Sequence, residues 1–219
     1  MPKIGIVTGL LEEADAFRPG VGRIRREMPF YFREDEDFML ACAGIGKVNG
    51  SMAASTLVSR GCDLLVSMGS AGRIGKGEDQ AYWLGGAYQH DYGACRREEF
   101  VAFRAGSLPF GEPDRQPFLP IDNPGLDLPT ATIITGDCFI EDEGRAGAMS
   151  LDFDAELVDM ETGAVAQVAA MHNIGWAGVR AVSDGANEDG ANEFKTQLLN
   201  AARMAASQVD KMVQLLQRV

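Results

Sequence analysis

The stretch ELVDMETGAVAQVAA, Glu156 to Ala170, holds the pattern on which the fold turns. Its first residues alternate apolar and polar as the end of a strand does, and its last are small helix formers, so a strand runs directly into a helix. A glutamate, Glu161, stands at the change-over. Outward from this unit the same grammar repeats. KIGIVTG (3–9), FMLACAGIG (38–46), DLLVSMGSAG (63–72), ATIITGD (131–137) and GWAGVRAVSDG (175–185) are short apolar runs ending in glycine or a small polar residue. Such runs read as buried strands. KVNGSMAASTLVSR (47–60) and METGAVAQVAAMHN (160–173) carry apolar residues three and four apart, and residues 192–219 make a long amphipathic terminal helix. Strands alternating with helices predict an α/β sandwich with a largely parallel central sheet. Ligands of such sheets collect at the carboxyl ends of the strands.

The region from Gly93 to Pro129 breaks this rhythm, being rich in proline, glycine and charge. It reads as an excursion, part loop and part short helix, from a single domain spanning 1–219. A linker there would leave the remaining ninety residues without half the strands.

A balance of 20 basic against 32 acidic residues, formally −12, argues against a nucleic-acid or anionic-membrane partner, because phosphates are repelled over most of the surface. The amino terminus MPKIGIVTGL lacks the pattern of a secretory signal, and no apolar run approaches bilayer-spanning length. Cys42, Cys62, Cys95 and Cys138 show no metal-ligand spacing, and at least two lie in apolar runs. The expected home is the reducing cytoplasm.

What stands at the strand ends is mostly carboxylate: Glu12 and Glu13 after the first, Asp137, Glu161 and Asp184 after later ones, with Ser70 after the third. Singly, each is explained by the dipole and free N–H groups of a helix start. Several aimed at one sheet edge do more, since carboxylates sharing a cleft take separate acid and base roles. GIGKVNG matches neither GxxxxGK[ST] nor GxGxxG, so tight strand-to-helix packing explains its glycines better than a phosphate cradle. His90 and His172 have no His or Cys at ligand spacing, and no metal site is expected. In QHD a hydrogen-bonded pair is expected, RREE (96–99) reads as a solvated face, and no nucleophile elbow is present.

Taken together, KIGIVTGLLEEA, AGIGKVNG, VSMGSAG, TGDCFI, VDMETGAVA and VRAVSDGA resemble, in order and interval, the purine nucleoside phosphorylase and nucleosidase superfamily. Within it the chain most resembles the bacterial 5′-methylthioadenosine/S-adenosylhomocysteine nucleosidases. The resemblance implies a three-layer αβα sandwich with a mostly parallel, mixed central sheet. It implies hydrolysis of a 5′-modified adenosine by a homodimer without a cofactor, the partner closing the pocket for the 5′ group. By resemblance Glu13 takes the proton of the attacking water and Asp184 protonates the purine at N7. Glu161 holds the ribose hydroxyls and Met160 packs beside the sugar. Ser70 and Arg180 line the water and sugar end, Phe139 stacks on the base, the main chain of Ile140 reads the adenine edge, and Ile45 also contacts substrate. A one-residue slip in the first loop exchanges Glu12 and Glu13.

The chemistry asks for these residue types independently. Breaking an N-ribosyl bond develops positive charge on the sugar and negative charge on the purine, which calls for a neutral acid near the base and carboxylates near the sugar. Water is favoured over phosphate, because the LLEEA loop opposes an anion by several kcal/mol at about 4 Å with an effective dielectric of roughly 20. Arg73 alone argues for phosphate, and a surface or dimer-contact role accounts for it equally. Beyond Asp184, GANEDGANEF is expected to be shorter than the family loop and to lack the aromatic that caps the nucleoside. The segment HDYGACRREEFVAFRAGSLP (90–109) is about four residues longer than its counterpart, and the resemblance puts Val101, Phe103 and Pro109 near where the partner-chain pocket residues fall. These differences keep open another 5′-modified nucleoside or futalosine, a phosphorylase, and a non-catalytic binding or storage protein.

Overall fold

The structure, a computed structural model, describes residues 2–27 and 29–217. In chain order its elements are β1 (Ile4–Thr8), α1 (Leu11–Ala16), β2 (Arg23–Glu27), β3 (Phe30–Glu34), β4 (Phe38–Cys42), α2 (Lys47–Ser59), β5 (Leu64–Arg73) and β6 (Ala81–Gln89). There follow β7 (Gly93–Cys95), β8 (Phe100–Ala102), β9 (Thr130–Thr135), α3 (Glu143–Phe153), β10 (Leu157–Asp159), α4 (Thr162–Met171), β11 (Gly175–Asp184) and α5 (Gly190–Leu216). The last two residues of the expected terminal helix, 218 and 219, lie outside the described residues.

Nine strands form one sheet in the order β10-β9-β6-β11-β5-β1-β4-β3-β2. Pairing is parallel for β1 with β4 and β5, β5 with β11, β6 with β9 and β9 with β10. It is antiparallel for β11 with β6, β10 with β5, and along β2-β3-β4. The α/β class and the mixed sheet agree with the sequence reading. Because β10 returns to β5, with Leu157 opposite Arg73, the strands β5, β11, β6, β9 and β10 close into a ring. That closure draws the ends of β10 and β11 toward the far half of β5.

Alternation along β1 sets the layers, since successive side chains of a strand point to opposite faces. Ile4 and Ile6 join Leu40, Val66 and Met68 against α5, whose Ala201, Ala205, Val209 and Met212 make a buried stripe. Val7 joins Met39, Ala41 and Leu65 against Ala53 and Leu57 of α2 and Val165 and Ala169 of α4. Small residues on these helices let them lie close to the sheet, and each fully buried aliphatic side chain contributes roughly 1.5–3 kcal/mol. Trp83 and Trp176 are core residues.

The excursion differs from expectation. Part loop and part short helix are expected over 93–129, but residues 93–102 form the antiparallel hairpin β7–β8, with Gly93 opposite Ala102 and a tight turn closed by Arg96 N–H donating to Glu99 O at 2.8 Å. The exposed RREE segment is that turn. From Pro109 to Pro129 six prolines remove backbone donors, and no helix forms among these residues. A bridge from Phe118 to Ala87 ties this length to β6. Val101 and Phe103, expected near a partner's pocket, are buried within their own chain.

Candidate active site

The parallel strands β1, β5 and β11 lie side by side, so the residues that follow or end them converge on one cavity of about 420 Å³. Glu13 enters it from the first turn of α1, just beyond β1. Its Oε2 accepts from the N–H groups of Gly9 and Leu10, each at 3.1 Å. Its Oε1 accepts from the N–H of Ser70 at 2.8 Å and the Ser70 hydroxyl at 2.9 Å. Four donors fix the orientation of this carboxylate. Glu12 is exposed and lies outside the cavity lining, so of the two glutamates it is Glu13 that faces the cavity. Gly69 makes the arrangement possible, because a Cβ there would overlap both the Glu13 carboxylate and Arg180. Ser70, expected after its strand, lies within it: pairing with β10 carries β5 on to Arg73.

Glu161 occupies the N-cap position of α4, yet its side chain makes no capping hydrogen bond. Asp159 does that work instead, its Oδ2 accepting from Thr162 N–H at 3.0 Å. The Glu161 carboxylate turns into the cavity, where Oε1 accepts from Gly46 N–H at 3.0 Å and Oε2 lies 3.3 Å from Arg180 Nη2. Burial pushes its pKa up to about 7; Arg180 pulls the other way, while Asp159 and Glu13 add to the rise. Arg180 is 1 % exposed and spends its donors on Ser70 O at 3.0 Å, Ser67 Oγ at 2.9 Å and the carboxylates of Asp159 and Glu161.

Asp184 ends β11 beyond a bulge, where Ser183 is the extra residue between the pairs Val182–Ala71 and Asp184–Gly72. Bulges re-aim side chains, and here Asp184 is turned into the cavity. Burial raises its pKa, with Glu193 adding to the rise, against hydrogen bonds from the Ser183 hydroxyl (2.8 Å) and Ala186 N–H (3.1 Å). A carboxyl whose proton affinity is raised is better suited to hold and deliver a proton.

Met160, Ile140, Phe139 and Ile45 also line the cavity, Phe139 and Ile45 being half exposed at its mouth. The expectation that no aromatic follows Asp184 is corrected. Phe194 lines the cavity and meets Phe139 edge to face, with ring centroids 5.9 Å apart. Its signal lay within the GANEDGANEF segment itself, but only the turn from β11 into α5 shows which way it faces. Asp159 and Lys195 are further lining residues that the sequence reading passed over.

Other candidates stand apart. Asp137 is exposed and accepts from Lys47 N–H at 2.8 Å. Arg73 lies outside the cavity lining and pairs with Asp79 at 3.1 Å. The expected pairing within QHD is replaced by bonds outward: Gln89 donates to Gln167, and Asp91 pairs with Lys47. His90 Nε2 is buried without a partner among the described residues.

The family model described as the phosphorylase superfamily matches residues 120–216, which carry β9, β10, β11 and three of the cavity-facing residues, Met160, Glu161 and Asp184. A 5′-methylthioadenosine/S-adenosylhomocysteine nucleosidase of Mycobacterium bovis is 32 % identical over 189 residues, covering 71 % of this chain and 72 % of the relative. One from Staphylococcus aureus is 27 % identical over 229 residues, covering 96 % and 98 %. With that identity over most of both chains, the protein belongs to the 5′-methylthioadenosine/S-adenosylhomocysteine nucleosidase family. Two solved Helicobacter pylori structures share its fold at 20 % identity. They are the nucleosidase with butyl-thio-DADMe-Immucillin-A (TM-score 0.86, covering 100 % of this chain and 99 % of that one) and a futalosine hydrolase mutant (TM-score 0.84, covering both chains fully).

Proposed function

We propose that this chain hydrolyses the N-ribosyl bond of a 5′-modified adenosine, methylthioadenosine or S-adenosylhomocysteine, and releases adenine. The observation that carries the reading is the meeting of Glu13, Glu161 and Asp184 in one cavity, where burial raises the proton affinity of Asp184. In the proposed reaction a water oxygen attacks C1′ and the C1′–N9 bond breaks with its electron pair passing to the purine. Glu13 receives the water's proton and Asp184 delivers its own to N7. Glu161 accepts hydrogen bonds from the ribose hydroxyls, and these strengthen as positive charge develops in the ring. Each acid–base role contributes typically about 10²–10⁴ in rate. Met160 and Phe139 are read as contacts to sugar and base, Ile140 as the adenine-edge reader, and Ile45 as a wall of the 5′ pocket. Water rather than phosphate is supported by the cavity's charge, since Arg180 already faces two carboxylates and Arg73 is engaged by Asp79.

Adenine release from methylthioadenosine in phosphate-free buffer tests the reading, with Glu13→Gln and Asp184→Asn as controls. Release that requires phosphate, or tight binding without turnover, rejects it. A 5′ group bearing a carboxylate, as in S-adenosylhomocysteine or futalosine, is favoured by Lys195, an exposed cavity-lining amine with no ion pair among the described residues. Comparing rates across 5′ substituents for wild type and Lys195→Met decides this. The reading includes a homodimer, supported by Ile45, Val48 and Met52, apolar residues exposed beside and along α2 next to the cavity mouth. Sedimentation as a monomer would remove that part. Four free cysteines, two of them buried, suit a role in nucleoside and methionine salvage in a reducing cytoplasm.

A further inference from the structure

We infer that Asp159 is a positioning residue: it competes with Glu161 for the one buried guanidinium of Arg180 and, holding the nearer place, leaves Glu161 the freer hydrogen-bond acceptor in the cavity. Both carboxylates address the same nitrogen. Arg180 Nη2 lies 2.7 Å from Asp159 Oδ2 and 3.3 Å from Glu161 Oε2. The side chains of Arg180 and Asp159 are 1 % and 2 % exposed, so water does not screen the contest.

The surroundings commit Asp159 to its place. Its Oδ1 accepts from the Thr135 hydroxyl, and its Oδ2 accepts from the N–H and hydroxyl of Thr162 as well as facing Arg180. The Thr162 hydroxyl also receives Arg180 Nε at 3.2 Å and pairs with Ser67 Oγ at 2.8 Å. Glu161, by contrast, has only Gly46 N–H on one oxygen and the longer approach to Arg180 on the other. The charged groups facing Glu161 are Glu13 from α1, Asp159 from β10 and Arg180 from β11, with the Gly46 N–H dipole from the start of α2. One cation thus serves two carboxylates at close range, and Glu161, with the fewer hydrogen bonds and the longer approach, is the less well compensated of the two. The upward displacement of the Glu161 pKa, with Asp159 among its causes after burial, agrees with this order.

The inference rests on the nucleosidase reading only in giving Glu161 a sugar to hold; the sharing of Arg180 belongs to the free protein. The test therefore needs no substrate. Carboxyl-labelled protein, prepared once with ¹³C-glutamate and once with ¹³C-aspartate, is titrated by NMR. A glutamate signal titrating near neutral pH and absent from Glu161→Gln is expected. An aspartate titrating there instead, and persisting in Asp184→Asn, overturns the inference in wild-type protein even if no Asp159 variant folds. In Asp159→Asn the Glu161 titration should fall by at least one pH unit and the acid limb of kcat/KM should move with it, whereas Asp159→Glu should restore the higher value. An unmoved Glu161 titration in a folded Asp159→Asn also overturns it. A nucleosidase assay that fails while these titrations succeed counts against the proposed reaction alone.

Discussion

Ser70 grips Glu13 twice through a single oxygen: its backbone N–H and its hydroxyl both reach Oε1, at 2.8 and 2.9 Å. Residues fifty-seven positions apart are thereby locked together, one from the middle of β5 and one from the helix after β1. Ser70→Ala removes the hydroxyl and keeps the N–H. A hydrogen bond to a charged group contributes about 1.5–3 kcal/mol, so kcat should fall roughly 10- to 100-fold with the fold intact. Steady-state rates at the wild-type level would show that the hydroxyl does not hold the base.

Glu193 sits in the first turn of α5 and raises the proton affinity of Asp184 through its charge, while its Oε2 accepts from Gly185 N–H at 2.7 Å. Glu193→Gln keeps an acceptor for that N–H and removes the charge. Asp184 must be protonated to act as the acid, so lowering its pKa moves the alkaline limb of the kcat profile to lower pH. An alkaline limb that stays in place would separate Asp184 from that ionisation.

Burial makes Glu161 a source of pH-dependent stability. Its folded pKa, about 7, lies above the ordinary 4.5. The folded state therefore binds the proton more tightly, and this contribution is complete below about 4.5 and lost as pH rises through about 7. At roughly 1.4 kcal/mol per pH unit of displacement the loss is on the order of 3 kcal/mol. Glu161→Gln cannot ionise, so its stability relative to wild type should rise between pH 5 and pH 8. Urea unfolding of both proteins at the two pH values measures it, and a constant difference would contradict the assignment.

Phe194 meets Phe139 edge to face at the cavity mouth, and neither ring is part of the main core. Such pairs contribute about 0.5–1.5 kcal/mol beyond the area they bury. Phe194→Ala should raise KM roughly tenfold, change kcat far less, and leave the melting temperature nearly untouched. An unchanged KM would mean that the base or 5′ group never reaches this edge.

Local pattern was enough for the elements that bury at least one continuous face. The apolar runs of β1, β4, β5, β9 and β11, and the small-residue helices α2 and α4, announce themselves because burial dictates composition residue by residue. Glu161 could be singled out because a carboxylate at a strand-to-helix junction is conspicuous in one dimension. The hairpin β2–β3 escaped notice because β2 is mostly exposed, and β6 because Gly85 and Gly86 interrupt its apolar run.

What the chain could not disclose residue by residue is which groups meet. Glu12 and Glu13 are chemically alike as neighbours in a string; the helix turn that buries one and exposes the other separates them. Asp159 reads as an ordinary strand-end acid until Arg180, twenty-one positions on, is brought against it by the pairing of both β10 and β11 with β5. Composition and periodicity are set by each residue's exposure to water and so are written locally. The sharing of one buried charge among distant carboxylates depends on distances that exist only after the strands have paired.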